Sequence, residues 1–459
     1  MGSNYIEMRL EDCMDAIIDY RGKTPKKVDN GIPLITAKII KNGRIHEVNE
    51  FIAIDDYDDW MVRGLPLEGD VVLTTEAPLG EVAQLDARKV ALAQRVITLR
   101  GKKGILENDY LLYLLQSSFV QNQLDGRASG STVTGIKQSE LREIILRLPP
   151  VSLQKSISHQ LKCLDKKIDL NNKINKTLEQ MSQTLFKSWF VDFDPVIDNA
   201  LDAGNPIQET LQTRAKLRQK VRNSVDFKPL PAEIRSLFPS EFEETELGWV
   251  PKGWNISLAG EEFIIKGGST PSTANEDFWI NGTIHWTSPK DLTGNQSKVL
   301  LDTAKKITPL GLTKISSGLL PVNTVLMSSR APIGYLAISK VPMAINQGYI
   351  AIPSAKHLSP EYTIYWLDNI MDDIKGMAGG TTFAEISKSA FKTIKLLIPS
   401  SDIITEFSRI TRNHFDMVVQ NTKEIDSLTN LRDTLLPKLI SGELSLEDLP
   451  DLSTDTEAA

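Results

Sequence analysis

Two stretches of this chain decide its fold: GSTVTGIKQSELREIILRLPP, from Gly130 to Pro150, and GTTFAEISKSAFKTIKLLIPS, from Gly380 to Ser400. They lie 250 residues apart and carry glycine, threonine, isoleucine, serine and proline at matching positions. Further segments match in the same order: GKTP (22–25) with GSTP (268–271), VLTTEAPLG (72–80) with VLMSSRAPIG (325–334), ALAQRVITL (91–99) with AINQGYIAI (344–352), and YLLYLL (110–115) with YTIYWL (362–367). One such match would be chance, but a series in constant order indicates an internal duplication.

Each copy opens with a globule that mixes strands and helix. The apolar runs 71–73, 96–99 and 144–148 are rich in β-branched residues and are bounded by glycine, proline or charge, which predicts strands. The run 110–115 predicts part of a short helix. Because 459 residues exceed one ordinary domain, we expect two α/β or α+β globules over 1–150 and 247–400. A helix and linker over 151–246 would separate them, and a helix and acidic tail over 401–459 would follow.

After each globule, apolar residues recur at spacings of mostly three and four, which predicts a one-sided helix. The two series are Leu153, Ile157, Leu161, Leu164, Ile168, Ile174, Leu178, Met181, Leu185 and Trp189, then Ile403, Phe407, Ile410, Val418, Ile425, Leu428, Leu431, Leu435 and Leu439. An apolar stripe this long needs a partner helix to cover it, and the helix of the second copy is the obvious partner. The duplication predicts a pseudo-twofold, antiparallel pair, and the aligned Asn171 and Asn421 are polar positions of the kind that set register.

Motifs for catalysis are not found in the sequence. GKT at 22–24 resembles the end of a phosphate-binding loop, but the glycine required five residues before Gly22 is Ile17. Glu361, Asp373 and Lys375 loosely imitate a metal-dependent nuclease signature, yet the first copy has glutamine where a ligand is needed. The cysteines, Cys13 and Cys163, are far apart and indicate a reducing cytosol rather than a metal site. We therefore expect no catalytic residue and no metal in this chain.

The net charge of −7 is unevenly distributed. Counting lysine and arginine against aspartate and glutamate, 1–150 carries −3, 151–246 zero, 247–400 +3 and 401–459 −7. This balance permits DNA binding through a local basic face but does not predict it, so a partner would be needed for tight binding. The basic run TRAKLRQKVR (213–222) is more often a solvated helix face than a phosphate contact. No apolar run is long enough for a membrane span, and no secretory signal is visible, so we expect a cytoplasmic protein.

Polar, glycine-bounded loops recur at matched positions and supply candidate DNA contacts. One set is Arg21, Lys23 and Thr24 with Lys266, Ser269 and Thr270, and a second is Ser131 and Thr132 with Thr381 and Thr382. Serine or threonine beside glycine at a helix start can present N–H groups to phosphate, or can equally cap the helix. A third set differs between the copies: Lys38, Glu76 and Arg95 against Lys290, Arg330 and Gly348. Two readers of different base sequences would require such differences, although surface drift produces them too.

These features together make the chain similar to the specificity subunit of type I restriction–modification systems, over essentially its full length. The resemblance is carried by the closing patterns at 130–150 and 380–400, by the two helices after them and by the phrase ELGWVPKGW (246–254). It implies that 1–150 and 247–400 are target recognition domains, each reading one half of a split target in double-stranded DNA. The helices would be conserved spacers that set the distance between half-sites.

The resemblance also implies a division of labour. Two methyltransferase subunits, which modify adenine N6, would dock on the helices, and the candidate docking side chains are Leu178, Met181, Leu185, Trp189, Leu428, Leu431, Leu435 and Leu439. Restriction/translocase subunits would complete the assembly. S-adenosylmethionine, ATP and Mg²⁺ would be held by those partners. The alternative is a coiled-coil scaffold that binds proteins and has no DNA specificity, and sequence-selective, salt-sensitive DNA binding distinguishes the two.

Overall fold

The computed structural model describes residues 5–22, 24–130, 134–295, 297–330, 332–379 and 384–444. The chain divides into two compact units: unit 1 is Met1–Leu170 with Ile425–Ala459, and unit 2 is Asn171–Glu424. These units are defined by packing, and their limits fall inside the two long helices. The domain boundaries drawn from the repeat, at 150, 246 and 400, therefore remain a prediction.

Unit 1 has the strands β1 (Ile6–Arg9), β2 (Met14–Asp19), β3 (Lys27–Val28), β4 (Ile32–Ile35), β5 (Ile40–Lys41), β6 (Arg44–Ile45), β7 (Phe51–Ile52), β8 (Val71–Thr75), β9 (Leu79–Gln84), β10 (Ala91–Leu92), β11 (Val96–Gly101) and β12 (Ile145–Leu148). Its helices are α1 (Leu10–Cys13), α2 (Tyr57–Trp60), α3 (Asn108–Gln116), α4 (Ser118–Arg127), α5 (Gln138–Arg142) and the first part of α6 (Val151–Phe186). The main sheet has the antiparallel order β2-β11-β8-β9. A second sheet, β10-β4-β7-β3, contains one parallel pair, β10 with β4, and β1 pairs with β12.

Unit 2 begins with the rest of α6 and a π-helical turn at Lys187–Val191. Its further helices are α7 (Asp194–Ala203), α8 (Glu209–Arg222), α9 (Ala232–Arg235), α10 (Ala259–Glu262), α11 (Pro309–Leu312), α12 (Pro360–Asn369), α13 (Met371–Gly376), α14 (Lys388–Lys392) and most of α15 (Ser401–Ser441). The strands are β13 (Phe242–Thr245), β14 (Gly248–Pro251), β15 (Asn255–Leu258), β16 (Phe263–Lys266), β17 (Ile284–Thr287), β18 (Val299–Leu300), β19 (Lys305–Ile307), β20 (Val325–Ser328), β21 (Leu336–Ser339), β22 (Met343–Ile345), β23 (Tyr349–Ala355) and β24 (Lys395–Ile398).

The sheets of unit 2 repeat those of unit 1. The order β16-β23-β20-β21 reproduces β2-β11-β8-β9, with β18 added at the edge. The pair β15–β24 reproduces β1–β12, and the parallel pair β17–β22 reproduces β4–β10. The predicted duplication is therefore confirmed. Because the strands pair mainly antiparallel, each globule is the α+β member of the two predicted classes.

Local sequence explains the central strands. All five residues of β8 are buried, as expected for a β-branched run in the middle of a sheet whose faces are both covered. The predicted strands at 71–73, 96–99 and 144–148 correspond to β8, β11 and β12, although Ile144 lies just outside β12. The predicted helix at 110–115 lies within α3, and all six of those residues are buried.

The two long helices predicted from periodicity are present and run antiparallel. In unit 2, Asn175 of α6 accepts a bond from Asn421 Nδ2 at 2.8 Å, and farther along α6 the Ser182 hydroxyl lies 2.8 Å from His414 Nδ1. Residue numbers rise on α6 as they fall on α15, which fixes the direction. The aligned asparagines Asn171 and Asn421 both bond across the helix pair, although each bonds to a residue near the other. Asn421 donates to Asn175, and the buried Asn171 donates to Glu424.

The basic run at 213–222 lies in α8, and its arginines form ion pairs with α7. Arg214 and Arg218 bind Asp194 and Asp198, each with a nitrogen–oxygen distance of 2.6 Å, and Arg222 binds Asp202. Both carboxylates of the first two pairs are almost fully buried. The three arginines are therefore engaged by a neighbouring helix, whereas Lys216 and Lys220 of the same run are exposed to solvent.

No helix in the described ranges has an apolar stretch that could cross a membrane. Within the same ranges, no group of three or more His, Cys, Asp or Glu side chains is placed to hold a metal ion. The carboxylate of Glu361, part of the loose nuclease resemblance, is buried beside Arg412, 3.2 Å from its Nε.

Candidate nucleic-acid interface

Three loops of unit 1 meet where β8 ends and β11 begins. The Thr75 N–H donates to the Arg95 carbonyl at 3.0 Å, and the Ile136 N–H donates to the Thr75 carbonyl at 3.0 Å. Ser129 and Gly135 exchange two backbone bonds of 2.9 and 3.0 Å. These bonds tie together residues separated by up to 61 positions from Thr75 to Ile136, and we call the result the loop frame.

Unit 2 repeats the loop frame bond for bond. The Ser329 N–H donates to the Gly348 carbonyl at 2.8 Å, and the Ile386 N–H donates to the Ser329 carbonyl at 3.1 Å. Gly379 and Glu385 exchange backbone bonds of 3.1 and 2.9 Å. The two units therefore share these backbone bonds, while the side chains at matched positions differ.

One side-chain contact of the loop frame is shared. The Thr24 hydroxyl donates to Gln94 Oε1 at 3.4 Å, and the Thr270 hydroxyl donates to Gln347 Oε1 at 2.8 Å. Both threonines were predicted as candidates, and both glutamines occupy aligned positions. Both hydroxyls are on exposed residues. The neighbouring Ser269 instead donates to the Lys314 carbonyl at 2.9 Å, and Lys266 is exposed at the end of β16.

The cation beside the loop frame comes from different residues in the two units. Arg21 donates through Nη1 to the Ile136 carbonyl at 3.0 Å. Its counterpart in unit 2 is Gly267, and the ammonium of Lys388 occupies the space that a Cβ atom at Gly267 would need. Sequence reasoning missed Lys388 because its aligned residue, Gln138, is neutral. Only the tertiary contact identifies it.

The third candidate set forms ion pairs. Glu76 Oε1 lies 2.8 Å from Arg95 Nε in unit 1, and Arg330 Nη1 lies 3.6 Å from Glu385 Oε2 in unit 2. All four side chains are between 38% and 49% exposed, so their charged ends reach solvent. The position after β8 and β20 is thus acidic in one unit and basic in the other.

Lys38 and Lys290 lie on matched 3₁₀ turns, Ala37–Ile39 and Pro289–Leu292. Both are exposed. Lys38 is 4.0 Å from the Glu50 carboxylate, whereas the turn that carries Lys290 borders the loop frame at Gly348, where Pro289 fills the space of a side chain. The remaining candidates, Lys23, Ser131, Thr132, Thr381 and Thr382, lie outside the described residues.

The docking prediction needs correction for the side chains that the fold itself covers. Leu178 and Trp189 are buried within unit 2, and Leu435 and Leu439 are buried within unit 1. A partner cannot reach these four side chains in this conformation, because apolar spacing alone does not say which element covers a helix face. Leu185 and Leu428 are partly buried. Met181 and Leu431 are 51% and 40% exposed, so they remain candidates.

Trp189 belongs to an aromatic cluster built from the phrase WFVDFDP at 189–195. Its ring centroid is 5.1 Å from Phe238 and 6.1 Å from Phe407. Phe190 packs edge-on against Tyr362 at 4.8 Å. This cluster joins the end of α6 to the start of α15 inside unit 2.

Two copies of one α+β unit, followed by antiparallel helices, define a protein of duplicated, helix-linked architecture. A family model described as "Type I restriction modification DNA specificity domain" matches residues 3–180 and 251–428, once for each copy and well over half of the chain. The chain therefore belongs to the family of type I restriction–modification specificity subunits, as the sequence resemblance predicted.

Individual relatives agree with this membership. The chain is 27% identical over 380 residues to the type I restriction enzyme HindI specificity subunit of Haemophilus influenzae, covering 78% of this chain and 82% of that protein. It is 21% identical over 448 residues to the putative type I restriction enzyme MjaX specificity subunit of Methanocaldococcus jannaschii, covering 95% and 93%. The crystal structure of the S subunit of a type I system from M. genitalium has a similar fold, with a TM-score of 0.56 at 16% identity over 95% and 96% of the two chains.

Proposed function

We propose that this chain determines the DNA sequence specificity of a type I restriction–modification complex in the cytoplasm. Each globule recognises one half of a bipartite target in double-stranded DNA. Two methyltransferase subunits and the restriction/translocase subunits dock on the chain and perform the reactions. S-adenosylmethionine, ATP and Mg²⁺ are bound by those partners, and this chain contributes no catalytic residue.

The observation that carries the proposal is the repeated loop frame. Its backbone bonds are the same in both units, while Glu76, Arg95 and Gly135 are replaced by Arg330, Gly348 and Glu385. Base edges are distinguished in the major groove by the pattern of donors and acceptors that they present. The same backbone arrangement with two different sets of polar side chains is suited to recognising two different base sequences.

The charge balance supports a role for partners in holding DNA. Each phosphate neutralised by lysine or arginine releases counterions and strengthens binding. This chain is net acidic, at −7, and the arginines of α8 are already paired with aspartates. Most of the phosphate contacts would therefore come from the methyltransferase subunits.

The long helices suit a spacer. At about 1.5 Å per residue, a helix of 36 residues such as α6 is about 54 Å long. One turn of duplex is about 34–36 Å. Of the docking side chains predicted on these helices, Met181 and Leu431 are exposed and are the candidates for contact with the methyltransferase subunits.

The test is to express the chain with its methyltransferase partner in a host that lacks adenine methylation and to sequence the methylated bases. We expect methyladenine in one motif, made of two fixed half-sites separated by a gap of any sequence. The methyltransferase expressed alone is the control and should give no motif. Complex formation without any motif would favour the protein-binding scaffold instead. Methylation or cleavage of DNA by this chain alone would contradict the assignment of catalysis to its partners.

A further inference from the structure

The loop frame contains one position at which the two units carry opposite charge. Glu76 follows β8 and Arg330 follows β20, at aligned places in VLTTEAPLG and VLMSSRAPIG. Each forms an isolated antiparallel bridge with a distant segment: Glu76 with Gly135, just before α5, and Arg330 with Glu385, just before α14. The backbone therefore delivers the two side chains from the same place in the same local geometry.

Each charged end is held by a counter-ion, and the counter-ion comes from a different loop in each unit. Arg95 supports Glu76, whereas the residue aligned with Arg95 is Gly348. Glu385 supports Arg330, whereas the residue aligned with Glu385 is Gly135. Reversal of the charge is therefore accompanied by an exchange of glycine and counter-ion between two loops.

Both glycines lie where a side chain would be crowded by its neighbours. A Cβ atom on Gly135 would lie 3.0 Å from the Cβ atom of Glu76 and 3.0 Å from the Thr75 carbonyl oxygen. A Cβ atom on Gly348 would lie 3.0 Å from Pro289 Cγ. Each charged side chain keeps a counter-ion although the counter-ion comes from a different loop, and this coordinated exchange points to a function for the charge at this position.

Stability does not explain these pairs. Half-exposed ion pairs contribute little to stability because water screens them, and the side chains here are 39% and 49% exposed in unit 1 and 38% and 44% exposed in unit 2. What the counter-ions do provide is orientation. A carboxylate or guanidinium held on one side presents its remaining edge in a restricted direction, which is what base recognition requires.

We propose that this position specifies one base pair in each half-site, with Glu76 accepting from the N4 amino group of cytosine and Arg330 donating to O6 and N7 of guanine. A carboxylate suits the cytosine donor, and a guanidinium suits the two guanine acceptors. The inference rests on the proposed function, in which each unit reads a half-site. The half-site of unit 1 then contains cytosine on the contacted strand where the half-site of unit 2 contains guanine.

The test transfers the unit 2 set into unit 1. A triple variant, Glu76→Arg, Arg95→Gly and Gly135→Glu, reproduces the charges of Arg330, Gly348 and Glu385 on the matching backbone. In complex with the methyltransferase partner, it should methylate a motif in which one cytosine of one half-site has become guanine. The second half-site and the gap should stay unchanged, and the preference for the new base should be roughly 5- to 150-fold.

A single variant covers the case in which the triple variant does not fold. Glu76→Gln retains the shape of the side chain and replaces the carboxylate with an amide, which pairs with adenine N6 and N7. The same position of the motif should shift from cytosine towards adenine. The matched control is Asp86→Arg, which changes charge at an exposed ion pair with Arg88 beyond the far end of β9. The control should leave the motif unaltered.

The outcomes separate this inference from the function on which it rests. A wild-type complex without a two-part motif would overturn the proposed function. A two-part motif that both Glu76 variants methylate unchanged would overturn only the assignment of this position. A wild-type half-site of unit 1 that contains no G·C pair would also overturn the assignment, before any variant is made.

Discussion

At the scale of single residues, burial decides what a side chain can do. Trp189 has the spacing of an exposed helix seam, but only 1% of its surface reaches solvent because Phe238 and Phe407 cover it. Met181 is two turns away on the same helix and is 51% exposed. The two residues look alike in the sequence and differ in role for this reason.

Replacing Trp189 with alanine should lower the free energy of unfolding by about 3–5 kcal/mol, because a buried aromatic side chain leaves a cavity. Met181→Ala, on the same helix, should change it by less than about 1 kcal/mol while weakening association with the methyltransferase subunit. Denaturant titration and a binding assay on both variants measure the two effects. Equal loss of stability in both variants would contradict the assignment.

His414 should make unit 2 sensitive to acid. It is partly buried between α15 and α6, with Nδ1 beside the Ser182 hydroxyl, and burial lowers the pKa of His414 below its usual value. The neutral ring is therefore favoured in the folded chain. Its contribution to stability is present above the unfolded pKa of about 6.5 and is lost as the pH falls towards the lower folded pKa.

The comparison that checks this is the melting temperature at pH 7.5 and at pH 5.5 for the wild type and for His414→Gln. Glutamine does not titrate and can still bond to Ser182. We expect the acid-induced drop in melting temperature to be smaller in the variant. Other titrating groups contribute equally to both proteins, so an identical drop would show that His414 is not responsible.

At the scale of elements, α7 and α8 are joined by a ladder of aspartate–arginine pairs. Asp198 is 4% exposed, and its partner Arg218 also lies 5.1 Å from the centre of the Phe227 ring. Removing one charge of a buried pair leaves the other without compensation, at a cost of about 3–5 kcal/mol. The pair is therefore expected to hold the helical hairpin together.

Asp198→Asn should accordingly lower the free energy of unfolding by about 3 kcal/mol, measured by denaturant titration. The control is Glu241→Gln, whose partner Lys252 forms an ion pair in which both side chains are more than half exposed. That variant should leave the free energy of unfolding nearly unchanged, because solvent screens an exposed ion pair. If the two variants cost the same, the ladder does not contribute as described.

The long helices should set the gap in the DNA target. Four extra residues in α6 after Leu170 and four in α15 after Glu424 lengthen each helix by about 6 Å, close to one turn. At about 3.4 Å per base pair, the gap between half-sites should grow by about two base pairs, with both half-sites unchanged. Methylation sequencing reads this directly. Four residues inserted in the exposed segment between α8 and α9 are the control and should leave the gap as it was.

At the scale of the whole molecule, the acidity of the chain makes tight DNA binding dependent on partners. At physiological salt the chain alone, with a net charge of −7, should bind DNA weakly and with little selectivity. The complex with the methyltransferase should bind selectively. Its affinity should fall steeply as the salt concentration rises, because binding releases counterions from the DNA phosphates. Mobility shifts over a salt series, with matched and scrambled targets, test both statements. Equal selectivity with and without the partner would contradict them.

The sequence by itself determined the duplication, the mixed α/β or α+β class, the central strands and the two long helices. These features are local or repeat along the chain, so periodicity and self-similarity are enough to find them. The same reasoning found Thr24, Thr270 and the charge reversal at Glu76 and Arg330, because aligned copies can be compared without knowing the fold.

Only the tertiary structure decided which side chains meet. It buries Trp189, engages the arginines of α8 with aspartates of α7, and puts Lys388 in the space beside Gly267. It also gives each charged end its counter-ion, Arg95 in one unit and Glu385 in the other. Each of these contacts joins residues that are distant in sequence, and the pattern along the chain carries no information on which of many polar or apolar residues will be the neighbour.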